Sequence, residues 1–240
     1  MRSPIDPSAV RQRLTDARLL LVFTPALVPE GEALGRLVAA APWLGLVQVR
    51  PKALGGAGAA GDVTEARAAR DWSRAVLDAL ERAGFPELPV VVNDRVDVAA
   101  LLAERGLAGV HLGADDAPAE AARALLGDDA LIGLSTHTLD EVLAASERPV
   151  DLVGFGPVFA TSTKGYGTTA VRAGAPRVLG SSVAWIASEA ASVPLFPIGG
   201  IDVENVDELA EVGRAAVSSA ILAADDPARA ARSLYEALGG

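Results

Sequence analysis

The sequence predicts a single TIM (β/α)8 barrel, an α/β fold in which eight parallel strands alternate with helices and the sheet closes on itself. Short β-branched segments alternate with Ala- and Leu-rich segments along the whole chain, which is typical of parallel strands joined by right-handed helical crossovers. Successive strand candidates lie mostly about 20 residues apart, the size of one βα unit. The alternative, an open doubly wound sheet, is disfavoured because no nucleotide-binding glycine fingerprint follows the first strand.

The strand candidates are short apolar runs, each followed by a polar or glycine-containing turn. They occupy residues 19–24, 46–50, 89–93, 109–112, 131–135, 152–158, 193–198 and 215–219. Because no composition break divides the 240 residues, we expect one barrel domain that spans residues 1–240. Residues 1–18 are interpreted as a helical extension, in which a helix over residues 5–18 covers the bottom of the barrel.

Helical patterns lie between the strand candidates. They occupy residues 65–83, 118–126, 139–146, 203–212 and 227–238. Within the first pattern, Trp72, Val76 and Leu80 recur near helical spacing, and Thr138 stands where the third pattern needs an N-cap. Two longer connections, 51–63 and 160–182, are rich in small residues, and in a barrel both would lie on the strand-exit face, where active-site loops belong.

Composition excludes several classes of function. The formal net charge of −10 disfavours general binding to nucleic acid or to a membrane surface, since phosphates would be repelled overall. The absence of cysteine excludes disulfides, thiol catalysis and cysteine-based zinc sites. The first residues lack the apolar segment of a secretory signal, and no uncharged apolar run reaches transmembrane length, so we expect a cytoplasmic protein. The sequence leaves the oligomeric state open, and a homo-oligomer is compatible with it.

The exit of the second strand carries three polar side chains. Alternation places Gln48 and Arg50 on the same side of the strand, here the barrel interior, and Lys52 follows. Such side chains need partners, since an unpaired buried polar group costs roughly 1–3 kcal/mol. Arg50 and Lys52 suit a diphosphate, and the alternative is that Arg50 pairs with a carboxylate such as Asp94.

Carboxylates follow the next two strands. Asn93 and Asp94 end the third strand, and Asp115 and Asp116 follow the fourth. Because adjacent parallel strands end at one rim, Asp94 is expected to meet Asp115 or Asp116 there, which is the usual oxygen-rich setting for Mg²⁺ shared with a diphosphate. The alternative is that Asp115 and Asp116 cap the helix that begins at Pro118, and we expect capping by one of them.

The fifth strand ends in Ser135, which is expected to hydrogen-bond a ligand, and His137 follows. His137 is a candidate acid or base, although a histidine in a turn is more often structural. By contrast, His111 lies along the fourth strand and is interpreted as a packed core histidine.

The last three exits carry hydroxyls, a cation and glycines. A turn with Thr161 and Thr163 closes in Lys164, which suits an anionic substrate or leaving group; the alternative is a solvated loop. Gly199 and Gly200 follow the seventh strand, and Ser218 and Ser219 the eighth. Glycines let a phosphate approach backbone N–H groups at the phosphate position of many barrels, unless they only turn the chain.

Together, these segments resemble the thiamine phosphate synthase family over nearly the whole chain from Leu19 onward. The motifs that carry the resemblance are Gln48-Val49-Arg50-Pro51-Lys52, Val92-Asn93-Asp94-Arg95, Gly109-Val110-His111-Leu112-Gly113, Ser135-Thr136-His137-Thr138, Gly154-Phe155-Gly156-Pro157-Val158-Phe159 through Lys164, Ile198-Gly199-Gly200-Ile201 and Ser218-Ser219-Ala220-Ile221. Each motif is modestly specific, but their order at barrel spacing is strongly specific.

The resemblance implies an enzyme that couples 4-amino-5-hydroxymethyl-2-methylpyrimidine diphosphate with hydroxyethylthiazole phosphate, with these small molecules as its partners. It implies Mg²⁺ as the cofactor, with Asp94 and Asp116 as ligands. The residues implied to act on the pyrimidine diphosphate are Gln48, Arg50, Lys52, Asn93, Ser135 and Lys164, of which Arg50, Lys52, Ser135 and Lys164 would be catalytic. Those implied to bind the thiazole phosphate are Thr161, Thr163, Gly199, Gly200, Ser218 and Ser219.

The chain departs from the family pattern at several positions. The family often has Gln-Glu-Asp where Ala114-Asp115-Asp116 stand, which leaves open whether Asp115 shares the metal.

Two other functions also stay open. One is thiazole tautomerase, an isomerase on the same barrel that would use His137 and need no diphosphate site. The other is a phosphate-binding barrel without catalysis. The acidic and basic rim that includes Asp94 and Lys164 disfavours both.

Overall fold

The computed structural model describes residues 6–52, 62–161 and 178–240. In this part of the chain, eight parallel strands form one sheet in the order β7-β6-β5-β4-β3-β2-β1-β8. The strands are β1 (Leu19–Phe23), β2 (Leu46–Val49), β3 (Val90–Asn93), β4 (Gly109–Leu112), β5 (Leu131–Thr136), β6 (Leu152–Phe155), β7 (Leu195–Pro197) and β8 (Ala215–Val217). A parallel bridge between Ile198 and Ala216 joins β7 to β8, so the sheet curls into a nearly closed barrel. The predicted (β/α)8 fold is confirmed.

Helices surround the strands in the same alternating order. They are α1 (Pro7–Asp16), α2 (Ala33–Ala40), α3 (Asp62–Arg82), α4 (Val96–Leu102), α5 (Ala119–Leu126), α6 (Leu139–Ala145), α7 (Ser181–Ala190), α8 (Ser219–Leu222) and α9 (Pro227–Ala237). The predicted N-cap of α6 is confirmed, since the Thr138 side chain accepts a hydrogen bond from the Glu141 N–H at 3.2 Å. None of the helices in the described ranges combines the length and apolarity that crossing a bilayer requires.

The helix predicted over residues 203–212 is wrong in type and extent. Only a 3-10 turn, Val206–Leu209, forms there. The reason is local, because the side chain of Asn205 accepts from the Asp202 N–H at 3.1 Å and donates to the Gly200 carbonyl at 2.8 Å. Side-chain bonds of this kind offer the backbone an alternative to the helix. The predicted β6 also ends early, before Gly156-Pro157, because proline has no N–H to continue a ladder.

Strand alternation divides the apolar residues into two cores. One core packs the outward side chains of the strands against the helices, and it includes Leu21 and Phe23. The other fills the barrel interior, where Leu20, Leu46, Phe196 and their neighbours meet. Seven of the eight strands contribute apolar side chains to both cores, and β4 places His111 in the interior instead, so both faces of the sheet are largely covered, as expected for a parallel sheet.

The N-terminal helix α1 lies at the bottom of the barrel, as predicted. Val10 and Leu14 on α1 are buried in the interior core, under the residues that begin the strands. Arg214, just before β8, holds the end of α1 by donating to the carbonyls of Ala17 at 2.6 Å and Thr15 at 2.7 Å. The amino ends of the strands are therefore covered, and the opposite ends remain for a binding site.

Candidate active site at the carboxyl ends of the strands

A cavity opens at the carboxyl ends of the strands, with an empty volume of about 1010 Å³ that includes its open mouth. Most of the residues predicted for the site line this one cavity. They are Gln48, Arg50, Asn93, Ser135, Thr161, Gly199, Gly200, Ser218 and Ser219. The predicted residues Thr163 and Lys164 lie outside the described residues. Lys52, Asp94 and Asp116 form a separate group beside the cavity.

An amide pair forms the wall of the cavity at β2 and β3. Gln48 is 5% exposed, and its side-chain N–H donates to the Asn93 side-chain oxygen at 2.7 Å. The bond follows from the register, which pairs β2 with β3 and points both side chains into the interior. It uses one donor of Gln48 and one acceptor of Asn93, so each amide keeps further hydrogen-bonding groups for a ligand in the cavity that both line.

The carboxylates of the third and fourth strand exits lie together, as predicted. Lys52 forms an ion pair with Asp94, and Asp116 accepts a hydrogen bond from the Gly113 N–H at 2.7 Å. Burial raises the pKa of the Asp116 carboxyl, and hydrogen bonding with Asp94 raises this pKa further, while the Gly113 N–H and Lys52 act against both. Two acidic groups and one cation thus share a rim made by three different strands.

The backbone at Asp94 is unusual. Its φ is 64°, a left-handed conformation that non-glycine residues seldom adopt but that Asp and Asn tolerate best. The Asp94 N–H donates to the His111 carbonyl at 2.8 Å, which holds this conformation. Strained backbone of this kind is enriched at functional sites.

The expected capping of α5 by Asp115 or Asp116 is wrong. The N-cap of α5 is Pro118, which makes no side-chain cap bond, and the Asp116 carboxylate accepts from the Gly113 N–H instead of capping the helix. Within the described ranges, no cluster of three or more Asp, Glu or His side chains could hold a metal ion. A divalent cation here would therefore depend on two protein carboxylates and on oxygens from its substrate.

The imidazole of His111 also lines the cavity, which the sequence interpretation missed. The ring is buried, as expected, and its Nε2 lies 3.1 Å from the Ser135 hydroxyl oxygen. A Cβ on Gly133, the register partner of His111, would lie 2.3 Å from the ring nitrogen Nδ1. A glycine opposite an inward-facing histidine is the sequence signal that the ring needs this space.

His137 has a defined orientation at the cavity wall. Its Nδ1 lies 2.5 Å from the Gly156 carbonyl oxygen, and its backbone N–H donates to the Glu141 carboxylate at 2.5 Å. Because a carbonyl only accepts, Nδ1 carries the proton, and in the neutral ring Nε2 is then the basic nitrogen. His137 is thus held by structural bonds while it retains one basic group.

Gly199 and Gly200 follow β7 and pack closely against the segment that follows β6, so both positions need glycine. Both have positive φ, at 102° and 65°. A Cβ on Gly200 would lie 2.3 Å from the Ala160 carbonyl oxygen, and one on Gly199 would lie 2.8 Å from the Pro157 Cβ. Packing and backbone conformation therefore each demand glycine here, whether or not a phosphate binds.

The hydroxyls at the exit of β8 differ from each other. Ser218 donates to the Val22 carbonyl at 2.6 Å and lies 3.3 Å from the hydroxyl of Thr24, a fully buried residue that also lines the cavity. Ser219 is the first residue of α8. Sequence reasoning missed Thr24, because nothing in the β1 segment shows that β8 brings a hydroxyl to it.

Comparison with known proteins gives a consistent result. A profile of the family described as thiamine monophosphate synthase matches residues 19–221. The chain is 42% identical over 170 residues to a thiamine-phosphate synthase of Azorhizobium caulinodans, covering 70% of this chain and 74% of that protein. It is 40% identical over 234 residues to a thiamine-phosphate synthase of Synechococcus sp. (strain WH7803), covering 95% of this chain but only 59% of that longer relative.

A solved structure supports the same relationship. Thiamine phosphate pyrophosphorylase from Pyrococcus furiosus superposes with a TM-score of 0.71 at 27% sequence identity, covering 96% of this chain and 98% of that one. The matched profile begins at β1 and ends within α8, so it includes every strand and every predicted site residue.

Proposed function

The chain belongs to the thiamine monophosphate synthase family, and on this premise we propose that it is a transferase that makes thiamine phosphate. Its substrates are 4-amino-5-hydroxymethyl-2-methylpyrimidine diphosphate and hydroxyethylthiazole phosphate, and its products are thiamine phosphate and diphosphate. The observation that carries the proposal is the cavity at the strand exits, whose polar wall adjoins the rim of Lys52, Asp94 and Asp116.

The pyrimidine diphosphate belongs at the wall formed by β2 to β5. Gln48 and Asn93 offer amide donors and acceptors, which suit a heteroaromatic amine, and Ser135 adds a hydroxyl. Arg50 lines the same cavity, and the Lys52 ammonium lies at its rim, so both bring positive charge toward a bound diphosphate. Lys164 is proposed as a third cation.

Asp94 and Asp116 would hold Mg²⁺. The donor set fits, since carboxylate oxygens are the ligands that Mg²⁺ prefers, and it commonly uses one or two of them together with substrate phosphates. Burial and the neighbouring Asp94 raise the pKa of Asp116, which supports the binding of a cation beside the two carboxylates. An Mg²⁺ ion held by these two carboxylates would supply positive charge to the departing diphosphate.

The chemistry needs no protein nucleophile. The bond between the pyrimidine methylene carbon and the diphosphate oxygen breaks, and its electron pair leaves with the diphosphate. The thiazole nitrogen then donates its lone pair to that carbon, which forms the new C–N bond. Arg50, Lys52 and Lys164 stabilise the leaving group, and the cavity walls hold the two reacting atoms in line.

The thiazole phosphate belongs at the side of β6 to β8. There Thr161, Gly199, Gly200, Ser218 and Ser219 line the cavity, and Thr163 is proposed as a further contact. The backbone at the two glycines carries no side chain that would keep a phosphate away. This wall lies opposite the polar wall, so the two substrates would approach each other across the cavity.

The test is an assay of the full chain with both substrates and Mg²⁺, in which we expect thiamine phosphate and diphosphate in equal amounts. Arg50→Met should lower kcat/KM by roughly 100-fold, the usual effect of removing one charge-stabilising donor. Arg70→Met is the matched control, since Arg70 is an exposed arginine paired with Asp71 on α3, and it should change nothing. No coupling by the unaltered chain would refute the proposal.

A second candidate, thiazole tautomerase, has one observation in its favour. The bond from Nδ1 of His137 to the Gly156 carbonyl leaves Nε2 as a base at the cavity wall. The same assay distinguishes the two functions: conversion of thiazole phosphate alone, without coupling, would favour the tautomerase. Binding of either substrate by calorimetry without any turnover would instead favour a phosphate-binding barrel.

A further inference from the structure

The hydroxyl of Ser218 occupies the join between β8 and α8. Its oxygen lies 2.6 Å from the Val22 carbonyl oxygen on β1 and 3.3 Å from the Thr24 hydroxyl oxygen. Ser218 itself has φ −133° and ψ −80°, which fits neither the strand before it nor the helix after it. The chain therefore turns sharply at this residue.

The bond to Val22 takes the place of a ladder bond. β8 pairs with β1 up to the partners Leu21 and Val217, and the Ala215 N–H donates to the Arg18 carbonyl at 2.8 Å. Along a parallel strand, every second residue donates its N–H to the same neighbouring strand. Counting from the Ala215 bond, the Ser219 N–H would donate to the Val22 carbonyl if β8 continued. The Ser218 hydroxyl satisfies that carbonyl instead, and Ser219 starts α8.

The same bond limits what Ser218 can do for a ligand. A serine hydroxyl has one proton, and the short distance to Val22 shows where it is donated. Its remaining capacity is to accept, and the Thr24 hydroxyl oxygen lies 3.3 Å away. A phosphate dianion offers only acceptors, so while Ser218 donates to Val22 its hydroxyl has no proton left for the phosphate. The hydroxyl of Ser219 is not engaged in this bond.

We propose that Ser218, together with Thr24, is a positioning residue that ends β8 and holds Ser219 at the cavity wall, where Ser219 contacts the thiazole phosphate. The inference rests on the proposed function, and it assigns Ser218 a different role from the direct substrate contact expected from sequence. It also adds Thr24, which is fully buried at the exit of β1, to the residues on which the thiazole side depends.

The test measures the KM for thiazole phosphate at saturating pyrimidine diphosphate, and the Kd for thiazole phosphate by calorimetry, in a set of variants of the full chain. Ser219→Ala should raise both constants roughly tenfold, and Ser218→Ala roughly three- to tenfold, the range expected for one hydrogen bond. The double variant should stay within about twofold of Ser219→Ala alone, because a residue that acts through another adds nothing once that residue is gone. The KM for pyrimidine diphosphate should not move.

Conservative and control variants complete the set. Ser218→Thr keeps the hydroxyl and should restore both constants to within about twofold of the unaltered chain. Thr24→Val removes the hydroxyl beside Ser218 and should raise the KM and Kd for thiazole phosphate modestly. Combined with Ser218→Ala, it should raise them no further than Ser218→Ala alone. Ser146→Ala removes a hydroxyl that donates to the Val142 carbonyl at 3.2 Å on α6, away from the cavity, and should affect stability only.

The outcomes distinguish the positioning role of Ser218 from the proposed function of the chain. If the single effects of Ser218→Ala and Ser219→Ala multiply in the double variant, Ser218 contacts the substrate directly and the positioning role is wrong. If Ser218→Ala behaves like Ser146→Ala, the hydroxyl is merely structural. If Ser218→Ala does not fold, Thr24→Val takes its place in the same two comparisons, with Ser219→Ala in a double variant and with Ser146→Ala. A chain that binds thiazole phosphate but couples nothing refutes the proposed function, while the calorimetric series still tests Ser218.

Discussion

Lys52 forms an ion pair with Asp94 between the exits of two neighbouring strands, β2 and β3. The Asp94 side chain is 18% exposed and that of Lys52 is 45% exposed, so the pair stands at the edge of the cavity with its cation toward solvent. Lys52 also lowers the pKa of Asp116, against the effects of burial and of Asp94. A divalent cation at this rim would therefore share its carboxylates with a lysine that the proposed reaction also uses.

The first prediction concerns Asp94→Asn. Asn tolerates the left-handed backbone at this position, so the variant removes the charge with little added strain. We expect the Mg²⁺ concentration that gives half-maximal coupling to rise at least roughly tenfold, because the metal site loses a charged ligand. The Tm should be nearly unchanged. Initial rates over a Mg²⁺ titration measure the first effect and thermal unfolding the second.

A matched control for Asp94→Asn is available three residues along the chain. Asp97 is an exposed carboxylate paired with Arg95 at the start of α4. Asp97→Asn should leave the Mg²⁺ response as it is. The metal assignment would be wrong if Asp94→Asn and Asp97→Asn gave the same Mg²⁺ dependence as the unaltered chain.

The second prediction concerns the buried amide pair. Gln48→Leu removes the donor to the Asn93 side-chain oxygen, which then lies at the barrel interior without that partner. We expect the free energy of unfolding to fall by about 1–3 kcal/mol and the KM for pyrimidine diphosphate to rise, with little change for thiazole phosphate. Urea denaturation and steady-state kinetics measure the two effects. Equal changes in both KM values would argue against a pyrimidine site at this wall.

The third prediction separates the two ends of the barrel. Leu14→Ala on α1 removes a buried side chain from the interior core, far from the strand exits. We expect a loss of about 2–5 kcal/mol of unfolding free energy, as for other buried leucines, with both KM values unchanged at a temperature where the variant is folded. Leu101→Ala, at a leucine that is 63% exposed on α4, should change stability by less than about 0.5 kcal/mol. A kinetic effect of Leu14→Ala would show that the two ends are coupled.

The fourth prediction concerns pH. The Arg148 guanidinium holds the pKa of Glu120 at about 2, below its ordinary value of 4.5. A lowered pKa in the folded state stabilises the fold above pH 4.5, and this stabilisation is lost as the pH falls toward 2. Glu120→Gln should therefore lower the Tm by about 1 °C at neutral pH, because the pair is exposed, and the difference from the unaltered chain should vanish near pH 2.

Salt gives an independent check of the same pair. At about 1 M salt the screening length is only about 3 Å, so the Tm difference between Glu120→Gln and the unaltered chain should shrink. A difference that persisted at low pH and high salt would mean that Glu120 acts through packing and not through its charge.

Sequence patterns predicted the architecture well because each βα unit repeats the same local rules. All eight strands lie where apolar runs indicated them, and α3, α5, α6 and α9 match the helical patterns. Two of the errors occur where side chains compete with the backbone. Asn205 replaces the predicted helix with a 3-10 turn, and Ser218 ends β8 before the predicted strand does. Propensity cannot anticipate either, since each depends on a partner that folding supplies.

For the site, the sequence by itself determined which chemical groups stand at each strand exit, because alternation and the common direction of parallel strands follow from local pattern. Only the tertiary structure decided which of these groups meet. It pairs Lys52 with Asp94, turns the Ser218 hydroxyl toward Val22 and brings His111 to the cavity through the space that Gly133 leaves. Each of these contacts joins two different strands, so they depend on register, barrel closure and the room that neighbouring side chains leave, and none of these is encoded in a single segment.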